Sequence, residues 1–137
     1  MIEKVNRPKI NAKVGTQEYL LEEQSIYEKA LEDSDWGKVW ECLYNATNRY
    51  LIYLINKRNI KIKNIYDQLI TAISKPINKM QKRPQYRIQS LKYCSYLALK
   101  IVTPYTKKQE SFEKNNIFYY KDEKELQDFV YLYGRGE

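Results

Sequence analysis

Histidine is missing altogether from this chain of 137 residues. Its absence removes the usual general base near neutral pH and the commonest metal ligand together. Glycine is nearly as scarce: Gly15, Gly37, Gly134 and Gly136 are the whole complement, and none opens a phosphate-cradling loop. The two cysteines, Cys42 and Cys94, lie on separate apolar stretches without paired spacing. They read as buried thiols of a reducing compartment rather than as a disulfide framework or a zinc knuckle. No stretch approaches the roughly 18 apolar residues of a membrane span. The longest candidate, Tyr50 to Ile55, stops after six residues, and Met1 to Lys13 is too polar for a secretory signal. These gaps predict a protein that is not an enzyme, takes no cofactor or metal and keeps clear of membranes. Its expected location is the cytoplasm, or the inside of a particle assembled there.

Carboxylates are missing in one place only. Residues 36–108 carry 15 basic and 2 acidic side chains, Glu41 and Asp67 being the two. Residues 1–35 carry 5 and 8, and residues 109–137 carry 4 and 7. A paired-carboxylate active site has no material in the middle of the chain, and a cysteine–histidine nucleophile is impossible. A cationic block between two acidic ends is the asymmetry of a polyanion-binding surface.

Beyond the aperiodic residues 1–15 the apolar periodicity is mainly helical, with Ile117 to Tyr120 readable as a short extended piece, predicting an all-α fold: one compact bundle of five or six helices with an N-terminal arm and a short C-terminal amphipathic helix. Three regions follow: a flexible arm at 1–15, a basic helical domain at 16–108 and an acidic extension at 109–137. Thr16 is placed to cap a first helix over about 17–32, with Glu18, Glu22 and Glu23 in its early turns. Asp33, Ser34 and Asp35 introduce a second, whose stripe of Trp36, Val39, Trp40, Leu43, Thr47, Tyr50, Leu51, Leu54 and Ile55 reads as core. Ile62, Ile65, Tyr66, Leu69, Ile73, Ile77 and Met80 restart the pattern, and Pro76 within it either kinks one helix or opens a second behind Ser74, two joined segments being the favoured form. Residues 81–89 read as a loop around Pro84. Ser90 then caps a helix through Leu91, Cys94, Leu97, Ala98, Ile101 and Val102, which Pro104 closes from outside. Asp122 with Glu125 and the repeat Leu126, Phe129, Val130, Tyr133 before Gly134 predict the last helix.

The positive functional signal is an alternation of cations and tyrosines. Lys79, Lys82, Arg83, Arg87, Lys92 and Lys100 are interleaved with Tyr86, Tyr93 and Tyr96, and Lys107, Lys108 and Tyr105 follow. Cations neutralise phosphates while tyrosine rings stack on exposed bases, the pairing needed to hold single-stranded or locally melted nucleic acid. On a helix from residue 91, Lys92, Tyr96 and Lys100 recur at four-residue steps opposite the apolar stripe, with Tyr93 beside them. Packing of the tyrosines into an ordinary core is the competing use.

The succession LYNATNRYLIYLINKR (Leu43–Arg58), IYDQL (Ile65–Leu69), a basic loop and YRIQSLKYCSYLALKIV (Tyr86–Val102) resembles the helical domain with which bacterial sigma factors hold RNA polymerase and open promoter DNA. The resemblance covers residues 40–108 and rests on element order and spacing. It implies polymerase contacts from Ile65, Tyr66, Asp67, Leu69 and Ile70, and DNA contacts from Tyr86, Arg87, Lys92, Tyr93, Tyr96 and Lys100. The core-binding helix of that family is more acidic, tyrosines stand here for its tryptophans, and residues after 108 are too few for its helix-turn-helix domain. The implied protein is a reduced, sigma-like bacteriophage transcription factor, in keeping with the small size and the Lys, Asn, Ile and Tyr bias. The alternative is a structural or packaged virion protein whose basic belt touches the genome or an acidic partner subunit among the phage structural proteins.

Overall fold

The computed structural model describes residues 9–13 and 16–106. Four α-helices and one 3₁₀ turn make up this part, with no strand among the described residues: α1 (Gln17–Glu32), α2 (Trp36–Arg58), α3 (Ile65–Lys82), the turn Pro84–Tyr86, and α4 (Tyr93–Thr106). The all-α class holds. Four helices lie within the described residues, and the stretch around Pro76 is one helix where two joined segments were expected. Residues 1–8, 14 and 15 of the arm expected at 1–15, the acidic extension and the expected helix from Asp122 lie outside the described residues.

Helix boundaries follow from local chemistry. Thr16 sits in extended backbone and its Oγ1 accepts from the Tyr19 N–H at 3.2 Å, satisfying one of the free donors of the first turn. At the other end of α1 the Asp35 N–H reaches back to Ala30 O (2.8 Å) and the Ser34 N–H to Leu31 O (3.1 Å), with Ser34 left-handed at φ 54°. This is a Schellman closure built on serine rather than glycine. Asp35 then caps α2 by accepting from the Lys38 N–H at 3.2 Å, so one residue ends one helix and starts the next. Left-handed Asn59 closes α2 in the same way, with the Ile60 N–H bonded to Ile55 O at 3.0 Å and the Ile60 side chain buried.

Pro76 lies inside α3 and Pro104 inside α4, where the sequence suggested a break and an outer stop. A proline in a helix interior costs about 3 kcal/mol. Breaking α3 there would swing Ile77 and Met80 off the row they share with Leu69 and Ile73, all four of which are buried. Each such side chain is stabilised by about 1.5–3 kcal/mol on burial, so one continuous helix wins. Pro104 falls in the last turn of α4, where only the Lys100 carbonyl loses a backbone donor.

The core joins all four helices, and α2, which packs against each of the other three, is its hub. Leu91, just before α4, and Cys94, Leu97, Ala98, Leu99, Ile101 and Val102 within α4 are buried, with α2 as the main packing partner of that helix. Only a narrow stripe of α4 meets solvent.

Candidate nucleic-acid interface

That stripe carries Tyr93, Tyr96 and Lys100, with Lys92 just before the helix. Lys92 and Lys100 are exposed, Tyr93 retains 41% of its accessible surface, and Tyr96 is half-buried. The Tyr93 and Tyr96 rings lie 5.2 Å apart, and the Lys100 ammonium stands 5.6 Å over the Tyr96 ring. Burial, with the neighbouring Tyr96 phenol second, pushes the Tyr93 hydroxyl above its ordinary value and keeps it a neutral donor. A second pair forms where α3 ends. Tyr86, 49% exposed, has the Lys79 ammonium 5.7 Å from its ring, and exposed Lys82 and Arg83 flank it. Both clusters present a ring face with a cation already beside it.

What links the clusters is a pinned segment. From α1, Gln24 donates to Gln89 O (2.7 Å) and accepts from the Leu91 N–H (2.9 Å), and the Tyr27 hydroxyl donates to Ile88 O at 2.5 Å. Arg87 donates from Nη1 to Leu31 O at 2.9 Å, and its guanidinium lies 5.6 Å from the Trp36 ring. Residues 87–91 are therefore held against one face of α1. The loop expected at 81–89 is a helix end, a 3₁₀ turn and this segment.

Two expected site residues thus have other tasks. Arg87 neutralises the carbonyl end of α1 and stacks on Trp36, turning inward instead of toward a phosphate. Leu69 is core, with 1% of its surface exposed. Of its companions, Ile65 and Ile70 are half-buried, Tyr66 packs edge-on against Tyr44 at 6.1 Å, and Asp67 alone is exposed. Lys57, Lys61, Lys63 and Lys75 are exposed as well and widen the cationic surface beyond the residues singled out from sequence. The signal for them was present in the near absence of acids from residues 36–108.

A further pair escaped the sequence reading. Glu23, 1% exposed, accepts from Arg49 Nη2 at 2.5 Å through both carboxylate oxygens, and the Arg49 guanidinium lies 5.4 Å from the Tyr19 ring. Glu23 falls on the row Tyr19–Glu23–Tyr27 and Arg49 on the row Cys42–Ala46–Arg49, two apolar rows each with one charge of opposite sign. That pattern was the available clue.

Cys42 and Cys94 are buried free thiols, each pushed up to about 12 chiefly by burial. No group of three His, Cys, Asp or Glu among the described residues is arranged to hold a metal ion. No helix among them is long and apolar enough to cross a membrane. No family model matches the chain, and neither a curated protein nor a solved structure shows significant similarity to it.

Proposed function

We propose that this is a non-enzymatic nucleic-acid-binding protein that holds single-stranded or locally melted strands on the outer face of α3, the 3₁₀ turn and α4. The observation that carries the reading is two tyrosine–lysine groups: exposed Tyr86 with Lys79, and exposed Tyr93 beside half-buried Tyr96, which has Lys100 over its ring. Tyr86 and Tyr93 expose 49% and 41% of their surfaces. Between cations they form a stacking platform, and stacking contributes about 1–3 kcal/mol per base. The pinning of residues 87–91 supports the reading further, since a platform fixed beforehand loses little entropy on binding.

The sigma-like part of the proposal draws on the same last helix, whose solvent stripe is aromatic and basic. Its polymerase contact would fall on the outer edges of Ile65, Tyr66 and Ile70. Leu69 is not available to it.

Replacing Tyr86 and Tyr93 together by alanine tests the proposal. Both side chains are largely outside the core, so the melting midpoint should hold within a few degrees while affinity for an oligothymidylate falls at least about thirtyfold, the lower end of the stacking range for two bases. Unchanged affinity in the folded variant would sink it.

A further inference from the structure

Within the basic segment the two carboxylates behave differently. Glu41 is matched by Lys38 at 3.6 Å, whereas Asp67 is exposed and pairs with no cation among the described residues. Asp67 lines a solvent-open cleft of about 390 Å³ between the start of α3 and the end of α4, together with Asn64, Gln68, Thr71, Lys100 and Ile101. Five of these six side chains are polar, and they offer a carboxylate, two amides, a hydroxyl and an ammonium. Gln68 is already oriented, because its Nε2 donates to Lys63 O at 2.9 Å and to the Tyr105 hydroxyl at 2.6 Å. Both amide hydrogens are thereby used, and Oε1 is left as an acceptor. The Tyr105 ring beside it is 40% exposed. Lys100 belongs to this cleft and to the Tyr96 platform at once.

A carboxylate in the path of a polyanion costs affinity unless it contacts something other than phosphate. Its two oxygens accept two parallel N–H bonds. Among the bases, guanine alone presents two donors side by side on its Watson–Crick edge, N1–H and the N2 amino group. Adenine and cytosine set an acceptor nitrogen next to one amino group, and thymine and uracil flank one N–H with two carbonyls. Each of those turns a lone pair toward the carboxylate. We propose that the cleft reads an unstacked guanine, with Asp67 accepting from N1–H and N2–H and Lys100 holding the adjoining strand. The inference rests on the nucleic-acid reading above and adds a base preference to it.

The test is fluorescence anisotropy of the full chain with an oligothymidylate of about twelve nucleotides, within the span such surfaces cover. The same strand is then measured with one central guanine, hypoxanthine, adenine or cytosine. Oligouridylate counterparts are run in parallel, and the tighter-binding backbone is used for the comparison. Guanine should tighten binding about tenfold over the plain strand, the scale of one bidentate contact. Hypoxanthine, which keeps N1–H and lacks the amino group, should fall between guanine and the rest. Asp67→Asn removes a negative charge and tightens binding to every strand, so the ratio is the readout. The guanine advantage should disappear and adenine should gain, because an amide sets a donor beside an acceptor. Equal affinity for all central bases, or a guanine advantage that survives Asp67→Asn, overturns the inference while leaving strand binding intact. Failure of both plain strands to bind overturns the nucleic-acid reading itself, and the base preference with it.

Discussion

At the seam between α1 and α2 a carboxylate and a guanidinium are shut away together, whereas along α3 and α4 lysines and tyrosines stand open to solvent. In the first region every charge is committed. Glu23 and Arg49 form a buried ion pair, and Arg87, from the segment before α4, bonds the carbonyl end of α1. In the second region Lys75, Lys79, Lys82, Arg83, Lys92 and Lys100 are all exposed. The difference follows from chemistry as well as from place. The guanidinium fork matches a carboxylate or a carbonyl end at fixed geometry, while the ammonium is a mobile, strongly hydrated point charge. Arg49 and Arg87 serve the interior here and the exposed lysines the surface, where Arg83 joins them. The seam is thus the place to lose stability and the outer face the place to lose binding.

The largest effect should come from breaking the seam. Arg49→Met leaves the Glu23 carboxylate buried without its partner and should lower unfolding free energy by about 3–5 kcal/mol. Urea denaturation measures it. Adding Glu23→Leu should recover most of the loss, because an apolar pair of similar volume avoids the desolvation that the ion pair must offset. A second effect reads the interior by pH. Cys42 and Cys94 in the fold are pushed up to about 12 from the ordinary thiol value of 9.0, so the native state keeps protons that the unfolded chain gives up. Stability should be flat below pH 9 and fall as pH rises toward 12, by about 1.4 kcal/mol per pH unit for each thiol. Tyr27, raised by burial, acts in the same direction. Replacing both cysteines by alanine should flatten the slope between pH 9 and 11. The smallest effect on stability, and the sharpest on binding, is expected on the outer face. Changing Lys79, Lys92 and Lys100 to alanine should leave the melting midpoint in place and reduce the log–log salt slope on single strands by about 2, at roughly 0.7 per lost phosphate contact. Arg87→Ala should do the reverse, destabilising the fold with little change in slope.

Much of the fold could be read from the chain because its boundaries are written in local chemistry. Thr16, Asp35 and Asn59 are residues whose side chains or backbone preferences mark helix ends, and each marks one here. The prolines were misread for the opposite reason. Their penalty is local, whereas the packing of Ile77 and Met80 that overrides it is tertiary. The interface was legible as a region rather than residue by residue. A run of cations shows where positive charge accumulates, but not that Arg87 turns toward Trp36 while Lys92 turns outward. Direction depends on the α1 face that receives residues 87–91, and Gln24, Tyr27 and Leu31 are more than 50 residues away in sequence. Leu69 shows the same limit, since an apolar side chain at helical spacing is core or contact depending on what lies opposite.

The central claim is that the outer face of α3 and α4 is built for unpaired strands. Its most direct test is the affinity of the full chain for single-stranded, forked and duplex DNA of equal length across a salt series. The account predicts tighter binding to the single-stranded and forked forms than to duplex, because only unpaired bases reach the tyrosines, together with a linear fall of log affinity with log salt. Equal or stronger binding to duplex would contradict the stacking platform, and no binding at low salt would contradict the interface altogether.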